Sequence, residues 1–413
     1  MVLAAVLLSL IACTPAGEDP PPPAFQRVSV PGLTDHHAST GGVSWADLDG
    51  DGDDDLLVTN GYDVSAPPVG QPNRLYRNDD GTLTIVTEGP LAESMGISSG
   101  ATWGDYDGDG DLDVFITNQQ DENNFLFRNE GDWTFLAVTD APMTTDGGHS
   151  YAATWIDVDG DGNLDLFVAN GGMSHLGANR LYRNRGDGEF ELITEGDLVT
   201  TEAATCGLAW GDYDDDGDPD LYLANTGFAP PGNIDALYRN EGDFRFTKVE
   251  GTVLTEAGAP TSGAQWVDVD GDLDLDLCVT VMYGLANQLY LNHGGSFARG
   301  DAGDLVLDSG YTYTMNFEDY DNDGDVDVLA GEWGGIAALY FNDGTGKYRR
   351  ARSIDVGQHI DYVGAMASAD FDGDGRVDVL LGNWPNMPGD AELNVLLQND
   401  TPSRHWLTVR LDG

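Results

Sequence analysis

The side chains in this sequence best suited to chemistry are aspartates, and they come in clusters. The first cluster reads Asp47-x-Asp49-x-Asp51-Gly52-x-x-Asp55. Carboxylates at positions 1, 3, 5 and 9 are hard oxygen donors, and a backbone carbonyl at position 7 adds another. Such a set suits Ca2+, which takes roughly six to eight oxygens in flexible geometry, better than Mg2+, which demands a strict octahedron. Gly52 at position 6 permits the sharp turn that wraps an ion. The spacing recurs as Asp105, Asp107, Asp109, Asp113; Asp157, Asp159, Asp161, Asp165; and Asp212, Asp214, Asp216, Asp220. It continues as Asp268, Asp270, Asp272, Asp276; Asp319, Asp321, Asp323, Asp327; and Asp370, Asp372, Asp374, Asp378. A carbonyl ligand at position 7 explains why that side chain varies through Asp53, Asp111, Asn163, Asp218, Asp274, Asp325 and Arg376. In the fifth copy Leu273 replaces the position-6 glycine, which predicts the weakest site or a distorted loop.

A single loop of this kind also reads as a polar Asp-Gly turn. Seven copies in register with a strand repeat favour metal, since clustered carboxylates without an ion repel one another. An EF-hand fits poorly because position 12 counted from Asp47 is Val58, not Glu. A nine-residue calcium β-roll does not match the period. The first aspartates are spaced 58, 52, 55, 56, 51 and 51 residues apart.

The charge balance agrees. Against 18 Lys and Arg stand 72 Asp and Glu, a net charge of −54. That excludes a phosphate-binding nucleic-acid partner and a polybasic grip on lipid. Hydrophobic residues at 40% and aromatics at 9% exclude a disordered acidic chain. The loops use 28 of the 72 acids, and seven Ca2+ ions would raise the net charge from −54 to −40.

Each loop sits inside a longer repeat. An aromatic precedes the first aspartate by two residues in six copies: Trp45, Trp103, Trp155, Trp210, Trp266 and Phe317; the seventh has Ser368. A β-rich run follows the loop, then a second signature such as Asn73-Arg-Leu-Tyr-Arg-Asn78 or Asn179-Arg-Leu-Tyr-Arg-Asn184, then an alternating strand such as Asp243-Phe-Arg-Phe-Thr-Lys248. No segment sustains a helical period. Four short strands in about 50 residues, repeated seven times, predict an all-β, seven-bladed propeller with four-stranded blades. Phe25-Gln-Arg-Val-Ser-Val30 matches the closing strand of a unit yet precedes the first loop, so it is expected to complete the seventh blade and close the ring.

These loops and the Leu-Tyr-x-Asn signature resemble the FG-GAP/VCBS repeats of integrin α-subunit propellers and many bacterial surface proteins. The resemblance spans Phe25 to Asn399 and implies loops that join the first two strands of each blade and hold Ca2+. The signature and Arg404-His-Trp-Leu-Thr-Val-Arg-Leu411 are similar to the subgroup with a C-terminal ASPIC/UnbV domain. Residues 401–413 are therefore expected as the start of such a domain, cut short, or as an extra edge strand.

The other features are sparser. The apolar run from Met1 to Cys13 reads as an export signal, too short to span a bilayer. Leu10-Ile-Ala-Cys13 resembles a lipobox, with Cys13 as the lipidated residue, and residues 14–24 read as a proline-rich linker to a propeller over 25–400. Cys206 and Cys278 lie in apolar runs and are expected as buried packing. His37, His149 and His359 precede first strands, while Tyr62, Phe228, Tyr283, Trp333 and Trp384 fall between second and third strands. In a propeller those segments share the channel face, opposite the acidic loops, where a ligand is expected. No Ser-His-Asp order, paired-Glu motif or phosphate loop stands out. The expected function is a non-catalytic binding or adhesion module for a protein or glycan at the outer membrane or cell surface (secreted if Cys13 is not lipidated), monomeric and touching membrane only through its lipid. A polysaccharide lyase or hydrolase at the channel face, and a scaffold in a surface assembly, are the alternatives.

Overall fold

The structure, a computed structural model, describes residues 24–37, 39–61, 70–172, 175–186, 188–226, 234–255, 258–351, 362–384 and 393–401. The expected leader with Cys13, as well as Tyr62, Phe228, His359 and the tail from residue 402, lie outside the described residues.

Seven antiparallel four-stranded sheets form a seven-bladed β-propeller. In blade 1 the strands, from channel to rim, are Thr40–Ala46, Asp55–Asn60, Arg74–Asp79 and Thr82–Val86. Blades 2 to 6 repeat that order, with first strands Ser98–Gly104, Ser150–Ile156, Thr205–Gly211, Thr261–Val267 and Thr312–Glu318. Blade 7 takes Val363–Ala369, Asp378–Asn383 and Val395–Asn399 from the end of the chain and Phe25–Val28 from its start. The register Phe25↔Asn399 to Val28↔Leu396 is the expected closure. It leaves neither terminal sheet without a neighbour, so no capping element is needed.

Burial follows position in the blade. Second strands such as Asp113–Asn118 and Asp165–Asn170 are buried along their whole length, while fourth strands such as Phe135–Val138 and Phe190–Ile193 expose their two middle residues. The core lies between blades, where sheets pack face to face. One cluster joins Leu56, Val58 and Tyr76 of blade 1 to Phe371, Leu380 and Leu396 of blade 7.

The first strands crowd the channel, and each carries a register shift near its start, as at Thr205/Gly207 and Thr261/Gly263. A Cβ on Gly207 would stand 2.7 Å from the Gly263 Cα of the next blade. The glycine is there because two backbones must approach that closely.

The aromatics before the loops pack between blades. Trp155 stacks on Tyr106 of blade 2 at 5.6 Å, Trp266 on Tyr213 of blade 4 at 6.0 Å, and Trp45 on Phe371 of blade 7 at 6.3 Å. Ser368 fills the corresponding place in blade 7 by hydrogen bonding: its Oγ lies 3.0 Å from the Tyr320 hydroxyl and accepts from Asn316 Nδ2 at 2.5 Å. Cys206 and Cys278 are buried free thiols.

Candidate metal centres and the channel face

Every acidic loop connects the first and second strands of its blade, and one hydrogen-bond pattern shapes all seven. The position-6 N–H donates to the position-1 carboxylate, as in Gly162 to Asp157 at 3.0 Å and Gly324 to Asp319 at 2.9 Å. The position-7 N–H donates to the position-5 carboxylate, as in Asn163 to Asp161 at 2.9 Å and Arg376 to Asp374 at 3.0 Å. These bonds curl the backbone so that carboxylates converge. Oxygens of Asp47, Asp49 and Asp55 lie within 4.8 Å of one another, as do those of Asp105, Asp107 and Asp113, and of Asp157, Asp159 and Asp165. In the fourth loop the converging set is Asp212, Asp214 and Asp216; in the fifth, His293 joins Asp272 and Asp274.

Calcium fits this donor set. The Oδ1 oxygens of Asp107, Asp159, Asp214 and Asp270, all at position 3, are buried without a hydrogen-bond partner. A buried carboxylate oxygen with no donor is costly unless a cation satisfies it. The residues that would hold the ion are the carboxylates at positions 1, 3, 5 and 9 with the position-7 carbonyl.

The fifth loop is not distorted. Leu273 N–H still donates to Asp268 Oδ2 at 3.0 Å, and Leu273 adopts φ 77°, in the same region as Gly217 at 96° and Gly324 at 98°. A leucine there carries left-handed strain that glycine avoids, with its side chain 86% exposed. Leu273→Gly is therefore expected to raise stability by about 1 kcal/mol, read by urea unfolding at saturating calcium; a loss of stability would contradict the assignment of strain. Position 4 also turns left-handed, with Gly50 at 72°, Asp215 at 59° and Asn322 at 57°. The run of Gly, Asp and Asn at that position was a signal of the turn that spacing analysis of the carboxylates alone passes over.

Position 9 has a second duty. Asp165 is 1% exposed; its Oδ2 accepts from Val158 N–H at 3.0 Å and its Oδ1 from Asn184 N–H at 2.8 Å. Asn184, the last residue of the Leu-Tyr-x-Asn signature, then donates from Nδ2 to Leu164 O at 3.1 Å and to Tyr106 O in blade 2 at 2.7 Å. The signature asparagine repeats that inter-blade bond around the ring: Asn78 to Phe371 O, Asn129 to Leu48 O, Asn240 to Val158 O, Asn292 to Tyr213 O, Asn342 to Val269 O and Asn399 to Tyr320 O. Each loop is thus tied to the blade that follows it.

Burial pushes the position-9 carboxyls up, to about 7 for Asp55, Asp113, Asp165, Asp220 and Asp276, about 8 for Asp378 and about 9 for Asp327, against the opposing pull of backbone N–H bonds. A carboxyl raised on folding binds its proton more tightly in the folded chain. Its contribution is complete below the ordinary carboxylate range and is lost as pH rises through the folded value. Calcium-free protein is therefore expected to melt about 10 °C higher at pH 5 than at pH 8. Scanning calorimetry in calcium-free buffer checks this, and a flat or rising profile would contradict it.

The channel face is built differently. A cavity of about 270 Å3 in the channel is lined by residues including Gly42, Ser99, Tyr151, Gln265, Tyr313 and Trp384. Trp333 lies 5.2 Å from Tyr313, 5.9 Å from Tyr362 and 6.2 Å from Trp384, so blades 6 and 7 bring the two expected tryptophans together. Tyr283 and Tyr311 meet at 5.8 Å beside them and are 39% and 42% exposed. Of the expected histidines, His37 precedes the first strand of blade 1 and His149 that of blade 3. His149 Nδ1 accepts from Gln120 N–H at 3.3 Å and its ring lies 3.9 Å from that of His175. Burial and the neighbouring His175 push His149 below the usual imidazole value.

The profile of the FG-GAP-like repeat family matches residues 47–116, 105–168, 157–223 and 319–381, more than half of the chain. The chain belongs to the FG-GAP-like repeat family. This FG-GAP propeller is 24% identical to cartilage acidic protein 1 of Homo sapiens, over 89% of the chain and 59% of that protein, and 24% identical to the Mus musculus protein, over 89% and 61%. It therefore spans about three fifths of the length of the curated relatives it matches. Among solved structures, the FG-GAP propeller is similar in fold to an Agrocybe aegerita lectin that recognises non-reducing terminal N-acetylglucosamine, with a TM-score of 0.51 and 17% identity over 76% of this chain and 79% of that one. YCF48 bound to D1 peptide gives a TM-score of 0.53 and 11% identity over 94% and 99%, and BBS1N in complex with ARL6DN gives 0.54 and 12% over 93% and 99%.

Proposed function

We propose that this FG-GAP propeller is a calcium-stabilised, non-catalytic binding module that takes a protein or glycan on its channel face. It is exported and held at the outer membrane or cell surface through a lipid on Cys13. The observation that carries the binding reading is the aromatic cluster of Trp333, Trp384, Tyr313 and Tyr362 beside the channel cavity. Aromatic faces flanked by hydroxyl and amide groups, here Ser99 and Gln265, suit sugar rings and peptide side chains alike. Propellers of similar fold take an N-acetylglucosamine terminus or a peptide, which supports the same use here. The calcium reading rests on the converging carboxylates and their unpartnered buried oxygens. Among the described residues no helix is long and apolar enough to cross a membrane.

A glycan array and a pull-down with calcium-loaded protein test the binding. A Tyr283→Ala, Tyr311→Ala double variant is expected to lose binding about tenfold or more with little change in melting temperature. Binding that survives that change, together with Trp333→Ala, would remove the channel face as the ligand site.

A further inference from the structure

Arg183 and Phe244 hold the third acidic loop in a way the repeat does not require. Arg183 lies on the third strand of blade 3, Arg180–Asn184, and its Nη2 stands 2.6 Å from Asp159 Oδ2 and 3.7 Å from Asp161 Oδ2. The Asp159 side chain is 8% exposed, and its other oxygen, Oδ1, is buried without a partner in the loop where Asp157, Asp159 and Asp165 converge. One carboxylate oxygen is therefore taken by the cation, and the other is left open. Phe244, from the turn between third and fourth strands of blade 4, carries φ 58° and places its ring 5.0 Å from the guanidinium.

Blade 1 repeats the arginine and aromatic contacts with a different ring, although there Asp49 Oδ1 accepts from Asp51 N–H at 3.3 Å. Arg77 Nη2 stands 3.4 Å from Asp49 Oδ2. Trp133 of blade 2, at φ 60°, lies 5.8 Å from the Arg77 guanidinium and donates from Nε1 to the same Asp49 oxygen at 2.9 Å. Blades 2 and 4 keep the arginine as Arg128 and Arg239, but these pair with Glu130 and Glu241, Arg128 reaching Asp107 only at 3.9 Å; blades 5 and 6 have Leu291 and Phe341 in its place.

A guanidinium beside a metal loop acts in one of two opposed ways. As a mobile counter-charge it competes with the ion. As a fixed outer donor it locks the carboxylate so that the second oxygen is already in place, and loss of such outer-shell partners typically weakens metal binding. The aromatic from the next blade decides between them, because it pins the guanidinium against the outer oxygen while the inner one stays open. We propose that Arg183, with Arg77 in blade 1, is a positioning residue for calcium, and that loops 1 and 3 are the tightest sites of the ring. This rests on the reading of the loops as calcium sites.

The test is native mass spectrometry of the full chain across buffered free calcium, counting ions in the wild type, Arg183→Met, Arg77→Met and Phe244→Ala. Arg183→Met is expected to shift one ion to about tenfold higher free calcium, and Arg77→Met likewise. Phe244→Ala keeps the positive charge and is expected to move the same ion in the same direction by less. Unchanged or tighter binding in Arg183→Met would overturn the proposal, since a counter-charge released from the loop favours the ion. Circular dichroism at saturating calcium reports whether each variant is folded. Where Arg183→Met does not fold, unchanged binding in Phe244→Ala overturns it. A wild type that takes up no calcium overturns the loop reading as well, whereas wild-type uptake with unaffected variants overturns this inference alone.

Discussion

Stripping calcium from the folded chain is expected to lower its melting temperature by about 15 °C. The reason is additive linkage. An ion at about ten times its dissociation constant stabilises by roughly 1.4 kcal/mol, so seven such sites contribute on the order of 10 kcal/mol. The ion also relieves a specific defect: the buried, unpartnered oxygens of Asp107, Asp159, Asp214 and Asp270, which cost free energy when no cation meets them. Because the signature asparagines tie each loop to the following blade, loosening a loop also loosens a blade junction. Calorimetric scans with millimolar calcium and with excess EGTA, both at about neutral pH, measure the difference. Coincident transitions would remove the structural role of calcium.

Asn184→Ala is expected to cost about 3–5 kcal/mol at saturating calcium. Alanine deletes two donors at once, leaving Tyr106 O and Leu164 O without the Nδ2 bonds of 2.7 and 3.1 Å, and it removes the acceptor for Gly186 N–H at 3.0 Å. The site is 0% exposed, so water does not replace them. Asn184→Asp is the sharper control: it keeps the acceptor but turns a carboxylate toward two carbonyl oxygens, and it is expected to be worse than alanine. Equilibrium unfolding in urea reads both. A loss under about 1 kcal/mol for alanine, or an aspartate variant close to wild type, would show that the inter-blade bond is not holding the ring.

The repeat, the four strands per unit and the closing strand at Phe25 were readable from the sequence because each is a periodic, local signal. The convergence of the acidic loops was readable for the same reason, since Asp spacing records which carboxylates can meet. The roles of the signature asparagines were not. Asn184 stands out in the pattern, yet its partner Tyr106 is 78 residues away in another blade, and no local rule pairs them. Ser368 looked like a break in the aromatic series; only the geometry shows that it substitutes a hydrogen bond to Tyr320 for a stacked ring. Leu273 misled in the other direction. Its type predicted the weakest site or a distorted loop; the backbone is not distorted, because the surrounding hydrogen bonds hold it in the left-handed region, so tertiary context overrides the residue's own preference. On the channel face, sequence order placed Trp333 and Trp384 on the correct side but could not show that they touch.

The most direct test of the central claim is a count of bound ions. Protein equilibrated with millimolar calcium and analysed for metal and protein in the same sample is expected to hold about seven ions per chain, one for each acidic loop. A folded chain that holds one ion or none under those conditions would contradict the account.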